Sequence, residues 1–258
     1  MRHGNNGQHL MFLKHLAGER HWPPACYLTH CLTVLSIPRP ALRYLWIILG
    51  CGAVAAGAAV AQWTPAAWPT TAACLALGIW ASLFKIKLPG VHGTVSPGFV
   101  VVLVAAANTS WPETVAVSVV CALVQTMWRA ATRPDWMRIS FNLATMAIAT
   151  TAAYAVSRLA GGDHLIKVAM AGLTLQIVNT LIVSTLLCLI RNTPLLGVWR
   201  SIQVATLPYY FAGGILAGLW SRPDSSLAAA FCLAVSLCLM DLVFREHIRR
   251  RGPALEKG

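Results

Sequence analysis

The chain has 258 residues, 57% of them hydrophobic and only 11% charged, with a mean hydropathy of +0.64. Soluble domains carry about 25% charged residues to solvate their surface, so this composition excludes a water-soluble enzyme domain and specifies an integral membrane protein. The net charge of +12 comes from 20 Lys/Arg against 8 Asp/Glu. The basic residues lie between apolar runs, a pattern that signals membrane orientation and contact with lipid headgroups and excludes nucleic acid as a partner.

Residues 1–40 contain His3, His9, His15, His21 and His30 with Pro23, Pro24, Pro38 and Pro40, and no long apolar run. They read as a poorly ordered cytoplasmic tail with a short helix near Leu10–Leu16, or as sequence ahead of a true start near Val34. His21, Cys26, His30 and Cys31 are zinc-ligand types, but adjacent His30 and Cys31 would need a tight bend, so no metal site is expected. Apolar segments follow at Tyr44–Gln62, Ala66–Phe84, Thr94–Asn108, Glu113–Ala131, Ile139–Leu159, His164–Ile190, Ile202–Trp220 and Leu227–Phe244, eight candidate spans.

Thr94–Asn108 is short. As a helix it rises about 22 Å, less than a hydrocarbon core of about 30 Å, so it either crosses or dips in and returns. Charge decides between the two. If all eight segments cross, only Arg158, Lys167 and Arg222 of the 20 Lys/Arg lie outside, leaving 17 inside. If Thr94–Asn108 re-enters, the basic residues divide 10 to 10. The positive-inside rule therefore predicts eight crossings with both termini in the cytoplasm. Trp63, Trp68, Trp111, Trp136, Trp199 and Trp220 fall near span ends, where an interfacial aromatic belt belongs. Arg39 and Arg43, the apolar run and Ala59-Val60-Ala61 also have the order of a signal peptide, although the long preceding section is unusual for one.

Enzyme signatures are missing: there is no His-Glu-x-x-His, Gly-x-Ser-x-Gly or Walker loop. Cys51, Cys74, Cys121, Cys188, Cys232 and Cys238 lie within spans, as small apolar residues do, and suggest no disulfide framework. Asp241 is the one carboxylate well within a span, four residues before Arg245, a spacing that makes an interfacial ion pair. Proton-coupled carriers place carboxylates or histidines at mid-membrane, and none is expected there.

Neutral polar groups remain at membrane depth: Gln125, Asn142, Gln176, Asn179, and Gln203, Thr206, Tyr209 and Tyr210 around Pro208. An amide facing lipid is costly, so these should point inward. Asn142, Gln176, Asn179, Tyr209 and Tyr210 are the candidate lining of one ligand cavity; interhelical hydrogen bonding is the alternative use of the same groups. Pro208 should kink its helix and free a carbonyl near the tyrosines. Gly214-x-x-x-Gly218, and Ala53, Gly57 and Ala61, should allow close helix approach within the bundle.

Several short motifs carry a resemblance. Ile86-Lys87-Leu88-Pro89-Gly90, Gly93-Thr94-Val95-Ser96, Phe141-Asn142-Leu143-Ala144 after Trp136-Met137-Arg138, Asn179-Thr180, Val198-Trp199-Arg200 and Leu207-Pro208-Tyr209-Tyr210 together span roughly residues 43–246. They resemble the N-terminal membrane module of bacterial HD-GYP and GGDEF proteins, the cyclic-di-GMP signalling enzymes. In those proteins the last span runs into a cytoplasmic enzyme domain, whereas here Arg245–Arg251 follow Phe244 and the sequence stops at Gly258. The resemblance therefore implies the sensory module without its enzyme. The entry loop and small-residue helices are also similar, at fold level, to substrate-binding subunits of energy-coupling-factor vitamin transporters.

The resulting expectation is an all-α polytopic bundle of about eight transmembrane helices in a bacterial inner membrane. It consists of a cytoplasmic tail (1–40), the bundle (41–246) and a basic tail (247–258). The expected role is non-enzymatic, without cofactor or metal: a sensory or ligand-binding module acting through a separate cytoplasmic signalling or transport protein. A small-solute transporter component and a structural membrane protein are the alternatives.

Overall fold

Apolar segments without water must satisfy their own backbone amides, and a helix does this within one segment. In the computed structural model, which describes residues 37–64, 68–87, 94–128, 130 and 134–220, seven helices form. They are α1 (Arg39–Ala61), α2 (Trp68–Ser82), α3 (Gly98–Asn108), α4 (Trp111–Met127), α5 (Trp136–Leu159), α6 (His164–Arg191) and α7 (Leu195–Trp220). The expected tail helix, the zinc-ligand types near residue 26, the span Leu227–Phe244 and the Asp241–Arg245 pair lie outside the described residues.

Three helices, α1, α5 and α6, are long and apolar enough to cross a membrane. The outer faces of α1, α5 and α7 suit the same environment. Val54, Leu159, Leu196 and Phe211 are 72%, 85%, 72% and 67% exposed, a density of open apolar side chains that water does not tolerate. The protein is a membrane-associated helical bundle.

The short segment differs from its expected form. Thr94–Val95 is extended and pairs antiparallel with Ile86–Lys87, in the register Ile86 with Val95 and Lys87 with Thr94. The helix starts only at Gly98, after Pro97, whose carbonyl accepts from Val100 N at 3.0 Å. β-branched Thr94 and Val95 suit the ladder, and proline suits the helix entry. The remaining helix has 11 residues and rises about 16 Å. Eight of those residues are buried, and α3 packs against α2, α4, α5, α6 and α7. A segment apolar on every face has no reason to prefer one neighbour, and it becomes the central post of the bundle.

Small residues let the other helices close on that post. A Cβ at Gly78 would sit 2.6 Å from Cys121 Sγ and 3.6 Å from Val101, so α2, α3 and α4 meet there. A Cβ at Gly98 would lie 2.5 Å from Ser82 Oγ. α1 approaches α5 through Gly52, whose missing Cβ leaves room for Ala144. This corrects the expected stripe. Ala53, Gly57 and Ala61 are not on the packing face; Ala41, Leu45, Ile48, Gly52 and Ala59 are. In α7 Gly213 lies against the Phe99 ring, Gly218 makes room for Leu165, and Gly214 is buried, with its Cα 3.9 Å from where a Cβ at Gly172 would stand.

The turns follow local chemistry. Ser110 and Glu113 form a capping box at the start of α4, with Glu113 Oε2 accepting from Ser110 N at 2.9 Å and Ser110 Oγ at 2.7 Å. Glu113 is only 1% exposed, so a carboxylate read from sequence as a segment edge is buried among the helices. Asn192 ends α6 in the left-handed region (φ 53°), which asparagine tolerates. Lys85 donates to the Trp128 carbonyl at the end of α4.

Burial, then repulsion from Arg138, pushes the Lys85 ammonium below its ordinary range of 10.5. A lowered folded-state value means that this group's stabilisation is complete above pH 10.5 and is lost as pH falls through the lowered value. Stability of the detergent-solubilised protein should accordingly rise as pH approaches 10.5, and Lys85→Gln should flatten that rise; thermal unfolding across pH measures both. The same assay tests the α3–α7 contact. Gly213→Ala forces the Phe99 ring aside and should destabilise by about 1–3 kcal/mol, whereas Gly57→Ala, with nothing within 4 Å of the new methyl, should be neutral.

Candidate functional site

α6 and α7 form a helical hairpin, and polar side chains line its seam at helical spacing. Gln176 and Thr180 lie four residues apart on α6, so they share a face. On α7, Trp199, Gln203 and Thr206 follow at intervals of four and three, and they meet that face. Gln176 Nε2 donates to Gln203 Oε1 at 2.8 Å and to Thr206 Oγ1 at 3.1 Å. Gln203 Nε2 donates to Thr180 Oγ1 at 2.8 Å, and Trp199 Nε1 donates to the same oxygen at 3.3 Å. Thr180 and Thr206 turn their own hydroxyl hydrogens onto the Gln176 and Ile202 carbonyls at 2.7 Å and 2.9 Å.

The seam is dry. Gln176, Thr206 and Thr180 are 1%, 3% and 5% exposed. Both donors of the Gln176 amide are engaged, yet its carbonyl Oε1 is buried without a hydrogen-bond partner. A buried unpaired carbonyl is an anomaly in a native interior and needs an explanation.

One turn further along α7, an aromatic group adjoins the seam. Tyr209 and Tyr210 stand three and four residues beyond Thr206, and the Phe99 ring lies 5.2 Å and 4.2 Å from theirs. Tyr209 is buried and Tyr210 is half-buried. Gly213 provides the space for Phe99.

Of the five residues read as one lining, Gln176, Asn179, Tyr209 and Tyr210 gather along this hairpin. Asn142 takes a different partner: its Nδ2 donates to Thr126 Oγ1 of α4 at 3.1 Å. Thr180, Trp199, Gln203, Thr206 and Phe99 were missing from that lining, although Gln203 and Thr206 are among the polar groups read at membrane depth. The i, i+4 spacing of Gln176 and Thr180 was a usable signal. Trp199, assigned to the membrane surface, and Phe99, on another helix, carried none. Among the described residues, no three His, Cys, Asp or Glu side chains cluster as metal ligands, and Cys51, Cys74, Cys121 and Cys188 are free thiols.

No protein-family model, curated protein or solved structure matches the chain.

The seam's hydrogen bonds should be energetically coupled. A double-mutant cycle with Gln176→Leu and Thr206→Val should give a coupling of about 0.6–1.7 kcal/mol, the range for interhelical bonds in membranes. Reversible unfolding in mixed micelles measures it, and zero coupling would show that the two groups do not bond.

Proposed function

We propose that this protein is a non-enzymatic ligand-binding module of a bacterial inner membrane, serving a sensory role through a separate cytoplasmic partner. The observation that carries the reading is the unpaired Gln176 carbonyl within an otherwise bonded chain of amides and hydroxyls. An unsatisfied group in hydrocarbon costs several kcal/mol, which a ligand's donor would recover. A binding seam leaves one valence for the ligand. The motif resemblance to membrane sensory modules supports the sensory role, and the transporter-component reading shares the same site.

The topology that accompanies this reading has eight crossings and cytoplasmic termini, with α3 as a thin crossing. Support comes from the 17-to-3 division of Lys/Arg and from α3 running back alongside α2 from Ser82, past Gly78. The surrounding helices shield the short α3 from lipid, so its length need not match the full hydrocarbon thickness.

Two measurements test the proposal. Reporter fusions after Lys87, Arg133 and Arg191 should read cytoplasmic and fusions near Pro112 and Gly162 external; a cytoplasmic signal at Pro112 reverses the later topology. Mass spectrometry of small molecules retained by purified protein should find a ligand that Asn179→Leu releases without loss of the fold. Identical retention by both proteins, or none by either, would leave the seam with a packing role alone.

A further inference from the structure

The unused valence at Gln176 specifies what the ligand brings. Both hydrogens of its amide are engaged, with Gln203 and Thr206. The Thr180 and Thr206 hydroxyl hydrogens are held by backbone carbonyls. The Trp199 indole hydrogen goes to Thr180. What Gln176 leaves open is an acceptor, so the complementary group is an O–H or N–H donor. The side chains that form the seam, Gln176, Thr180, Trp199, Gln203 and Thr206, are all uncharged. A cation buried here would lack a carboxylate to offset its desolvation, and an anion would meet the carbonyl's negative end. The donor group is therefore neutral.

The body that carries the donor is set by the surroundings. Tyr209 and Tyr210 follow Thr206 on the same run of α7 and pack with Phe99; Phe99 and Tyr209 are 5% and 1% exposed, so the half-buried Tyr210 is the ring of this group with part of its surface open to a flat apolar body. Leu207 and Phe211, on the same stretch of α7, are 46% and 67% exposed, so the hairpin's outer surface is apolar and suited to contact with lipid. We infer that the seam takes an uncharged, lipophilic molecule with a hydroxyl or N–H donor on a flat apolar body, whose donor bonds Gln176 Oε1. This rests on the ligand-binding reading above and deepens it. A single water molecule is the competing occupant; it would satisfy Gln176 but needs no aromatic neighbour.

The test uses matched probes on the full-length protein in micelles. 2-Naphthol carries the donor, 2-methoxynaphthalene has the same ring system without it, and 2-naphthylmethylammonium adds a charge. Equilibrium dialysis should show saturable binding of 2-naphthol. The methyl ether and the ammonium should each bind at least about tenfold more weakly, the scale of one neutral hydrogen bond. Gln176→Leu should abolish the difference between naphthol and its ether. The wild-type comparison needs no variant, so it stands even if Gln176→Leu fails to fold. Equal binding of naphthol and ether by the wild type, preference for the ammonium, or no saturable binding of 2-naphthol would overturn the inference, as would a naphthol preference that survives Gln176→Leu. Ligand retention separates the two levels. If wild type retains a charged molecule that Asn179→Leu releases, the binding reading stands and the neutral-donor class fails; if nothing is retained and no probe binds, both fail.

Discussion

Inside a hydrocarbon slab no water completes a hydrogen bond, so each polar side chain at membrane depth depends on another part of the protein. The α6–α7 hairpin is organised by that constraint. Gln176 reaches two partners on α7, Gln203 reaches back to Thr180, and Trp199 adds a third strand to the same knot. These bonds fix the register of one helix against the other. The register then places Tyr209 and Tyr210 beside Phe99 and aligns Gly213 with its ring. One unpaired carbonyl at the centre of this arrangement is the feature that turns a packing interface into a candidate binding site.

α3 has the complementary part. It is too short to cross the hydrocarbon core as a conventional span, and five helices surround it. Close contact requires small residues on those helices, which Gly78 and Gly213 supply. Phe99, in the first turn of α3, joins this post to the polar seam, so the core and the candidate site share a residue. A substitution at Gly213 would act on both through the same ring.

The short ladder between α2 and α3 and the Lys85 contact with the end of α4 tie down one edge of the bundle. Lys85 lies close enough to Arg138 for their charges to repel, with its ammonium depressed mainly by burial. At the other end of α3, Ser110 and Glu113 cap α4 reciprocally, and Trp111 Nε1 donates to Thr151 of α5 at 3.1 Å. Polar groups at both edges thus hold the hairpins in place, while the apolar middle packs around α3.

Composition and hydropathy were sufficient for the membrane environment and the helical class, because lipid leaves few ways to satisfy a backbone. The segments from α4 to α6 were legible within a few residues, since their apolar runs are bounded by prolines, charges and an Asp or Ser at the helix start. The neighbouring positions of Gln176 and Asn179 on α6, and of Tyr209 and Tyr210 on α7, were also legible, from spacing along single helices. The partners across helices were not. Asn142 bonding Thr126, Trp199 entering the seam, Gly52 rather than Gly57 taking the close contact of α1, and Gly213 facing the Phe99 ring all depend on how helices rotate about their axes. A rotation of one residue is about 100°, and a hydropathy pattern that is apolar nearly all round does not specify it. Tertiary packing specified it, by bringing each amide to a partner and each glycine to a side chain that needed its space.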